Sequence, residues 1–386
     1  MSVTAARGFR AAGVAAGLKS SGMPDLALVV NDGPEHAAAA VFTGNRVQAA
    51  PVVWSRQVVL DGRVDAVVLN SGGANACTGP EGFADTHRTA EAVATLLGVS
   101  AGDVAVCSTG LIGERLPMVR LLEGLEPLAA GLAADAAAGA AAAEAIRTTD
   151  TVAKTAVVRH PDGWVVGGMA KGAGMLAPGL ATMLVVLTTD AAGTAEVLDG
   201  VLRAATRTTF DRVDSDGCMS TNDTVLLMAS GASGVAPSRD GLAAVVTEVC
   251  AVLARALVAD AEGASHDIAV EVVSAASEDD AVTVGRAVAR SNLFKAAVYG
   301  NDPNWGRVLA AVGTTHADFD PLALDVAVNG VWVCRAGGVG EDRTLVDMTP
   351  REVRVVVDLH AGEHAATVWT NDLTVEYVHE NSAYST

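Results

Sequence analysis

The sequence predicts a mixed α/β fold in which strands and helices alternate without a strict βαβ repeat. Two observations carry this. Short Val/Ala/Leu-rich segments of strand length recur along the chain, and segments of 3.6-residue periodicity lie between them. Residues 26–30, 38–43 and 66–70 are apolar runs of strand length, and residues 85–97 have a helical apolar face. Residues 104–107 form another strand. The periodicity across 121–146, including the alanine tract 136–145, predicts one long helix. Residues 156–168 read as a hairpin turning at Pro161-Asp162-Gly163, where Pro and Gly supply the turn dihedrals. A strand at 183–188, a helix at 195–206, a strand at 224–229 and a helix at 242–261 follow. Beyond them come strands at 268–274, 324–328 and 331–334. A second hairpin is expected from 353–360 and 363–370 through Ala361-Gly362. No internal repeat and no Pro/Ser-rich linker marks a domain boundary, and the shift toward strand-rich sequence falls near Ala287.

Half of the 386 residues are hydrophobic and 18% are charged, which excludes a disordered chain. The net charge of −19 argues against a nucleic-acid or anionic-membrane surface, both of which need clustered Lys and Arg. The five cysteines are odd in number and dispersed, with no CxxC pair. A reducing cytoplasm fits that pattern better than a disulfide scaffold or a zinc ribbon. The first twenty residues lack the apolar core of a signal peptide, and the alanine tract is too short and too weakly apolar to span a bilayer. Of 26 basic residues only four are lysine, namely Lys19, Lys154, Lys171 and Lys295. A genome that favours Arg and Ala codons accounts for the bias, but each retained lysine is worth inspection, because arginine cannot imitate a compact ammonium whose pKa can shift.

Several chemistries have no support in the sequence. There is no Gly-Lys pair and hence no phosphate loop, no GxGxxG after a strand, and no GxSxG elbow. His360 and His364 are four apart, but Gly362 lies between them and the flanks alternate like strands, so no metal site is expected. The unusual stretch is 167–184. Glycines at 167, 168, 172, 174 and 179 and Pro178 make a tightly turning loop that delivers Thr182 to the start of an apolar strand, shortly after Lys171. Taken alone, such a threonine is ordinarily β-branched filler. The functional alternative is a threonine freed as a new N-terminus, whose α-amine, with an ordinary pKa of about 7.7–8.0, serves as base to its own hydroxyl.

The run Lys171-Gly172-Ala173-Gly174-Met175-Leu176-Ala177-Pro178-Gly179-Leu180-Ala181-Thr182 closely resembles the self-cleavage segment of the ornithine acetyltransferase (ArgJ) family. Further segments match in family order. They include Val41-Phe42-Thr43-Gly44-Asn45-Arg46, Asn70-Ser71-Gly72-Gly73-Ala74-Asn75, Ser108-Thr109-Gly110 and Thr148-Thr149-Asp150-Thr151. Ser220-Thr221-Asn222-Asp223, Asp260-Ala261-Glu262-Gly263, Gly300-Asn301-Asp302-Pro303-Asn304-Trp305-Gly306-Arg307 and Glu380-Asn381-Ser382-Ala383-Tyr384 complete the set. Gly179 departs from the Asn expected there.

The resemblance implies a layered α/β sandwich of the ArgJ/DmpA-like N-terminal-nucleophile type. Cleavage between Ala181 and Thr182 would leave an alpha chain, 1–181, and a beta chain, 182–386, associated as an oligomer of alpha–beta units. It implies a glutamate N-acetyltransferase of arginine biosynthesis that moves acetyl from N2-acetyl-L-ornithine to L-glutamate through an acetyl-Thr182 intermediate. Thr109 and Gly110 match the family's oxyanion hole. Thr148, Lys171, Thr182, Glu262, Asn381 and Thr386 fall on its substrate-contacting positions. No metal and no bound cofactor are implied, although some members also take acetyl from acetyl-CoA. The rival reading is an amidohydrolase or aminopeptidase of the same architecture, in which water takes the acyl group.

Overall fold

The computed structural model describes residues 2–177 and 183–383. They divide into two compact units, one running to Asp211 and resuming over Cys218–Asp260, the other made of Arg212–Gly217 and the chain from Ala261 onward. Ala287, where the composition shifts, lies inside a helix of the second unit.

In the first unit the elements run β1 (Phe9–Val14), β2 (Leu26–Asn31), β3 (Ala37–Phe42), α1 (Ala50–Val58), β4 (Ala66–Asn70), α2 (Gly79–Leu97) and β5 (Val104–Ser108). There follow α3 (Met118–Ala130), α4 (Ala136–Ala145), β6 (Lys154–Arg159), β7 (Val165–Lys171), β8 (Leu184–Thr189), α5 (Ala195–Thr208), β9 (Thr224–Ala229) and α6 (Arg239–Ala259). The strands make two sheets, β1-β2-β4-β5 and β3-β9-β8-β7-β6. β2, β4, β8 and β9 are buried at every position but for no polar alternation, as strands covered on both faces require.

The two sheets share one core. Val29, Val67 and Leu69 of the first sheet and Met169, Val186, Leu226 and Met228 of the second belong to it, together with Ala142, Ala143 and Ala145 of α4. The outer face of the first sheet is covered by α2 and α3 through Val93, Leu121, Leu125 and Leu128. The outer face of the second carries α5 and α6. The unit is therefore a layered α/β sandwich of helices, sheet, sheet and helices. α6 is the one helix among the described residues long and apolar enough to cross a membrane; its buried face, with Leu242, Val246, Val249, Leu253 and Leu257, packs on α5, β6 and β7.

The single helix expected over 121–146 is two. Gly131 closes α3 by donating to the Pro127 and Leu128 carbonyls, and Ala133 then pairs with Ala11 of β1 in both directions, at 2.9 and 3.1 Å. Asp135 restarts the helix, its side chain accepting from Ala138 N at 2.8 Å. Sheet pairing has taken backbone groups that a continuous helix would use. The alanine tract is explained by closeness. A Cβ on Gly13 of β1 would lie 2.1 Å from the Ala141 carbonyl oxygen, so strand and helix meet backbone to backbone.

The second unit contains β10 (Asp267–Ala275), α7 (Glu278–Ala289), α8 (Asn292–Tyr299), α9 (Trp305–Val312), β11 (Asp325–Val328), β12 (Val331–Arg335), β13 (Gly338–Val339), β14 (Glu352–Asp358), β15 (His364–Asn371) and α10 (Val375–Ala383). Its sheet has the order β13-β12-β11-β14-β10-β15. The expected hairpin of β14 with β15 is not formed, because β10 lies between them, parallel to β14 and antiparallel to β15. Both strands instead gain the apolar β10, whose Ile268, Val270 and Val272 are fully buried in the unit's core.

Candidate active site

In the first unit the sheet register brings Lys171, the last residue of β7, opposite Leu184 of β8, and Leu184 opposite Thr224 of β9. The residues flanking these strand ends therefore converge. Lys171 is only 2% exposed, and its Nζ donates to Thr109 Oγ1 at 3.2 Å. Thr109 follows β5 and is fixed by its backbone, accepting from Gly73 N and donating to the Asn70 carbonyl, each at 3.0 Å. Because Thr109 Oγ1 accepts from an ammonium, its own O–H is left to donate elsewhere. Gly110, next in line, has φ +129°, and a Cβ there would sit 2.9 Å from Gly73 Cα, so only glycine fits. Among the described residues no hydrogen bond engages the Gly110 N–H. Asn222 ties the two sheets at this end, its Nδ2 donating to Ala74 O at 2.6 Å and Ser108 O at 2.8 Å.

Asp150 is the electrostatic centre. Its Oδ1 accepts from Lys154 Nζ and from Gly172 N, both at 2.6 Å, and its Oδ2 from Thr148 N at 3.0 Å. Burial alone would push this carboxyl up, but the charges of Lys171 and Lys154 and the Gly172 N–H hold it well below the usual carboxylate range. Lys154, also 2% exposed, bonds Asp260 as well, and Asp260 in turn takes the Thr151 N–H and hydroxyl. Lys19 reaches the same loop, donating to the carbonyls of Arg147 at 2.5 Å and Pro24 at 3.1 Å. Burial lowers its ammonium pKa, against Asp25 and with the repulsion of Lys171. Thr148 is thus held by the loop that Asp150 organises, three residues past the end of α4, and does not cap that helix.

Asp223 lies beside the start of β8. It is fully buried, and its Oδ1 accepts the Met183 N–H at 3.0 Å. Burial pushes its carboxyl well above the usual range, more than the Met183 N–H pulls it down. Met183 is pinned again through its carbonyl, which accepts from Thr224 N at 3.1 Å. Ala181 and Thr182 lie outside the described residues, as does Thr386.

In the second unit, Glu262 Oε2 accepts from Asn381 Nδ2 at 2.9 Å, and that amide also donates to the Tyr377 carbonyl at 3.0 Å. α10 can approach this closely because residue 263 is glycine. At φ +61° its Cβ would fall 2.3 Å from Tyr377 N. Glu262 and Tyr377 line a small cavity of about 60 Å³ together with Asp216, Lys295, Asn371 and Asp372.

The expected residues are therefore brought together in two sets: Thr109, Gly110, Thr148 and Lys171 in the first unit, Glu262 with Asn381 in the second. Asp150, Lys154, Asp260 and Asp223 were not singled out for chemistry from sequence. The rarity of lysine pointed to Lys154, and Asp150, Asp223 and Asp260 sat within matched segments, but nothing local distinguishes a buried carboxylate from a turn residue.

The ArgJ family model matches residues 10–386. The arginine biosynthesis bifunctional protein ArgJ of Streptomyces coelicolor is 68% identical over 385 residues, covering all of both chains. That of Thermobifida fusca is 66% identical over 386 residues, again end to end. Among solved structures, ornithine acetyltransferase complexed with ornithine from Mycobacterium tuberculosis is 59% identical; the match spans 47% of this chain and 96% of that one, with a TM-score of 0.46.

Proposed function

The chain belongs to the ArgJ family, and on that premise we propose that it is a glutamate N-acetyltransferase of arginine biosynthesis, moving acetyl from N2-acetyl-L-ornithine to L-glutamate. The observation that carries this reading is the pairing of Lys171 Nζ with Thr109 Oγ1 beside the Gly110 N–H, which no hydrogen bond among the described residues engages, at the end of the sheet where Asp223 pins Met183. Met183 is bonded directly to Thr182, the proposed nucleophile.

The chain breaks between Ala181 and Thr182, and the freed α-amine takes the proton of the Thr182 hydroxyl. The oxygen then bonds to the acetyl carbonyl carbon of acetylornithine. The resulting oxyanion takes hydrogen bonds from the Thr109 hydroxyl and the Gly110 N–H, donors whose individual loss typically costs about 10²–10³ in rate. The C–N bond breaks, ornithine leaves with the proton, and an ester remains on Thr182. Glutamate's amine attacks that ester, and the Thr182 oxygen leaves and regains a proton. Thr148 and Lys171 hold substrate, the buried ammonium of Lys171 suiting a carboxylate. Glu262, with Asn381 and Thr386, suits the side-chain ammonium of ornithine. Acetyl-CoA serves as no more than an alternative donor in this scheme.

Intact mass spectrometry and steady-state kinetics test this. The purified protein should be two chains, 1–181 (less any trimmed Met1) and 182–386. Acetylornithine alone should add one acetyl group to the second, and double-reciprocal lines should be parallel. Intersecting lines with no trapped acetyl would rule out the covalent route, and steady ornithine release without glutamate would indicate a hydrolase.

A further inference from the structure

Asp223 immediately precedes β9, in the same unit as β8, and is 0% exposed. Its backbone is fixed, the carbonyl accepting from Thr43 N at 2.9 Å. One carboxyl oxygen, Oδ1, accepts the Met183 N–H at 3.0 Å. The other, Oδ2, is buried and takes no hydrogen bond among the described residues. The hydroxyls of Thr43 and Ser220 are close by, but that of Thr43 is spent on the Ser220 carbonyl at 2.6 Å. The charge that acts on the carboxyl is that of Lys171, at the end of β7. A buried oxygen left in this way is costly unless some further group bonds to it.

The covalent chain identifies that group. The nitrogens of Thr182 and Met183 are separated by three bonds, so they lie within about 4 Å of each other in any conformation. Successive backbone nitrogens can share one anion, and a carboxylate has two oxygens to divide between them. In the uncut chain the Thr182 nitrogen is an amide with one hydrogen; the break makes it an amine. We propose that Asp223 is the positioning residue of the Thr182 α-amine, its Oδ2 accepting an N–H of that amine once the chain is cut. This rests on the reading above in which Thr182 becomes an N-terminal nucleophile. The amine is then held with its lone pair left for the Thr182 hydroxyl proton, and the ammonium formed on taking that proton has a counter-charge beside it. An aspartate does the same for the histidine base of a Ser-His-Asp triad. Burial keeps the Asp223 carboxyl neutral until a cation arrives, so amine and carboxyl titrate as a pair.

The test is Asp223→Asn in the full protein, which keeps an oxygen for the Met183 N–H and removes the charge. In the cleaved variant kcat should fall about 10- to 100-fold, the loss of a hydrogen bond to a charged group, with the KM for acetylornithine changing less. The acid limb of the kcat/KM profile should move to lower pH by about 1–3 pH units, because the amine has lost the charge that favours its protonated form. Wild-type kinetics, or a fall in kcat with the limb unmoved, overturns the role of Asp223 while leaving the transferase reading intact. Should Asp223→Asn fail to fold or stay uncut, the unaltered protein decides. With 15N-threonine incorporated, the shift of the Thr182 α-nitrogen should titrate in two steps, its own and that of the carboxyl beside it, and a single step overturns the proposal. Active wild-type protein whose second chain does not begin at Thr182 removes the nucleophile reading, and this proposal with it.

Discussion

Asp150 binds Lys154 and two backbone N–H groups inside the protein and feels the charge of Lys171, and this makes it the residue on which the site's charge balance turns. Its folded pKa lies below the unfolded value of about 3.9. The stability it contributes is therefore complete above that value and is lost as pH falls through it toward the lower folded one. Asp150→Asn leaves Lys154 and Lys171 facing a neutral amide and should cost about 3–5 kcal/mol at pH 7. Urea titrations of both proteins should show that gap narrowing below about pH 4, and a gap of constant width would show that the carboxylate does not act through its charge. Lys171 is the second case. Buried at 2% exposure against Thr109 Oγ1, it leaves no room for a planar guanidinium. Lys171→Arg should lower kcat/KM by about 100-fold or leave the 386-residue chain uncut. Wild-type kcat/KM in a cleaved variant would show that the site needs only a positive charge there.

Among elements, the contact of β1 with α4 is the most tightly constrained. The helix is built almost wholly of alanine and glycine, and Gly13 meets the Ala141 carbonyl at a distance that no side chain tolerates. Gly13→Ala must move the helix bodily, because the atom in the way is backbone. Such overpacking costs about 1–3 kcal/mol. The consequence should reach function, since α4 runs into the loop that holds Thr148 and Asp150. Calorimetry should record a lower Tm for Gly13→Ala, together with a raised KM; an unaltered Tm would mean that the strand, not the helix, yields without cost.

For the whole molecule, the proposed break at Ala181–Thr182 falls between adjacent strands of one sheet. β3, β6 and β7 precede it, β8 and β9 follow it, and the order β3-β9-β8-β7-β6 interleaves them. Separating the two chains means opening the β3–β9 ladder and the β7–β8 ladder, each of six residue pairs, and exposing their shared core. The cleaved chains should co-elute in native gel filtration and part only in denaturant. Separation of the two in buffer alone would contradict this interleaving. The second unit lies wholly within the chain that begins at Thr182, so cleavage severs none of its strands.

Local chemistry alone determined much of this protein. β4 and β9 fall on the apolar runs 66–70 and 224–229, because β-branched and aliphatic runs of that length are strands in most settings. Pro161-Asp162-Gly163 turns between β6 and β7 as read. The four lysines, conspicuous in the sequence for their rarity, lie at buried or half-buried sites. Tertiary structure decided what depends on distant partners. β10 parted β14 from β15 because strand pairing follows buried area and not sequence adjacency. Ala11 captured Ala133 and broke the helix whose periodicity ran through it. Asp150 and Asp223 acquired their significance only on burial, because a charge on a chain in water costs nothing to leave unpaired, and the same charge inside a protein must be matched by whatever the fold brings beside it.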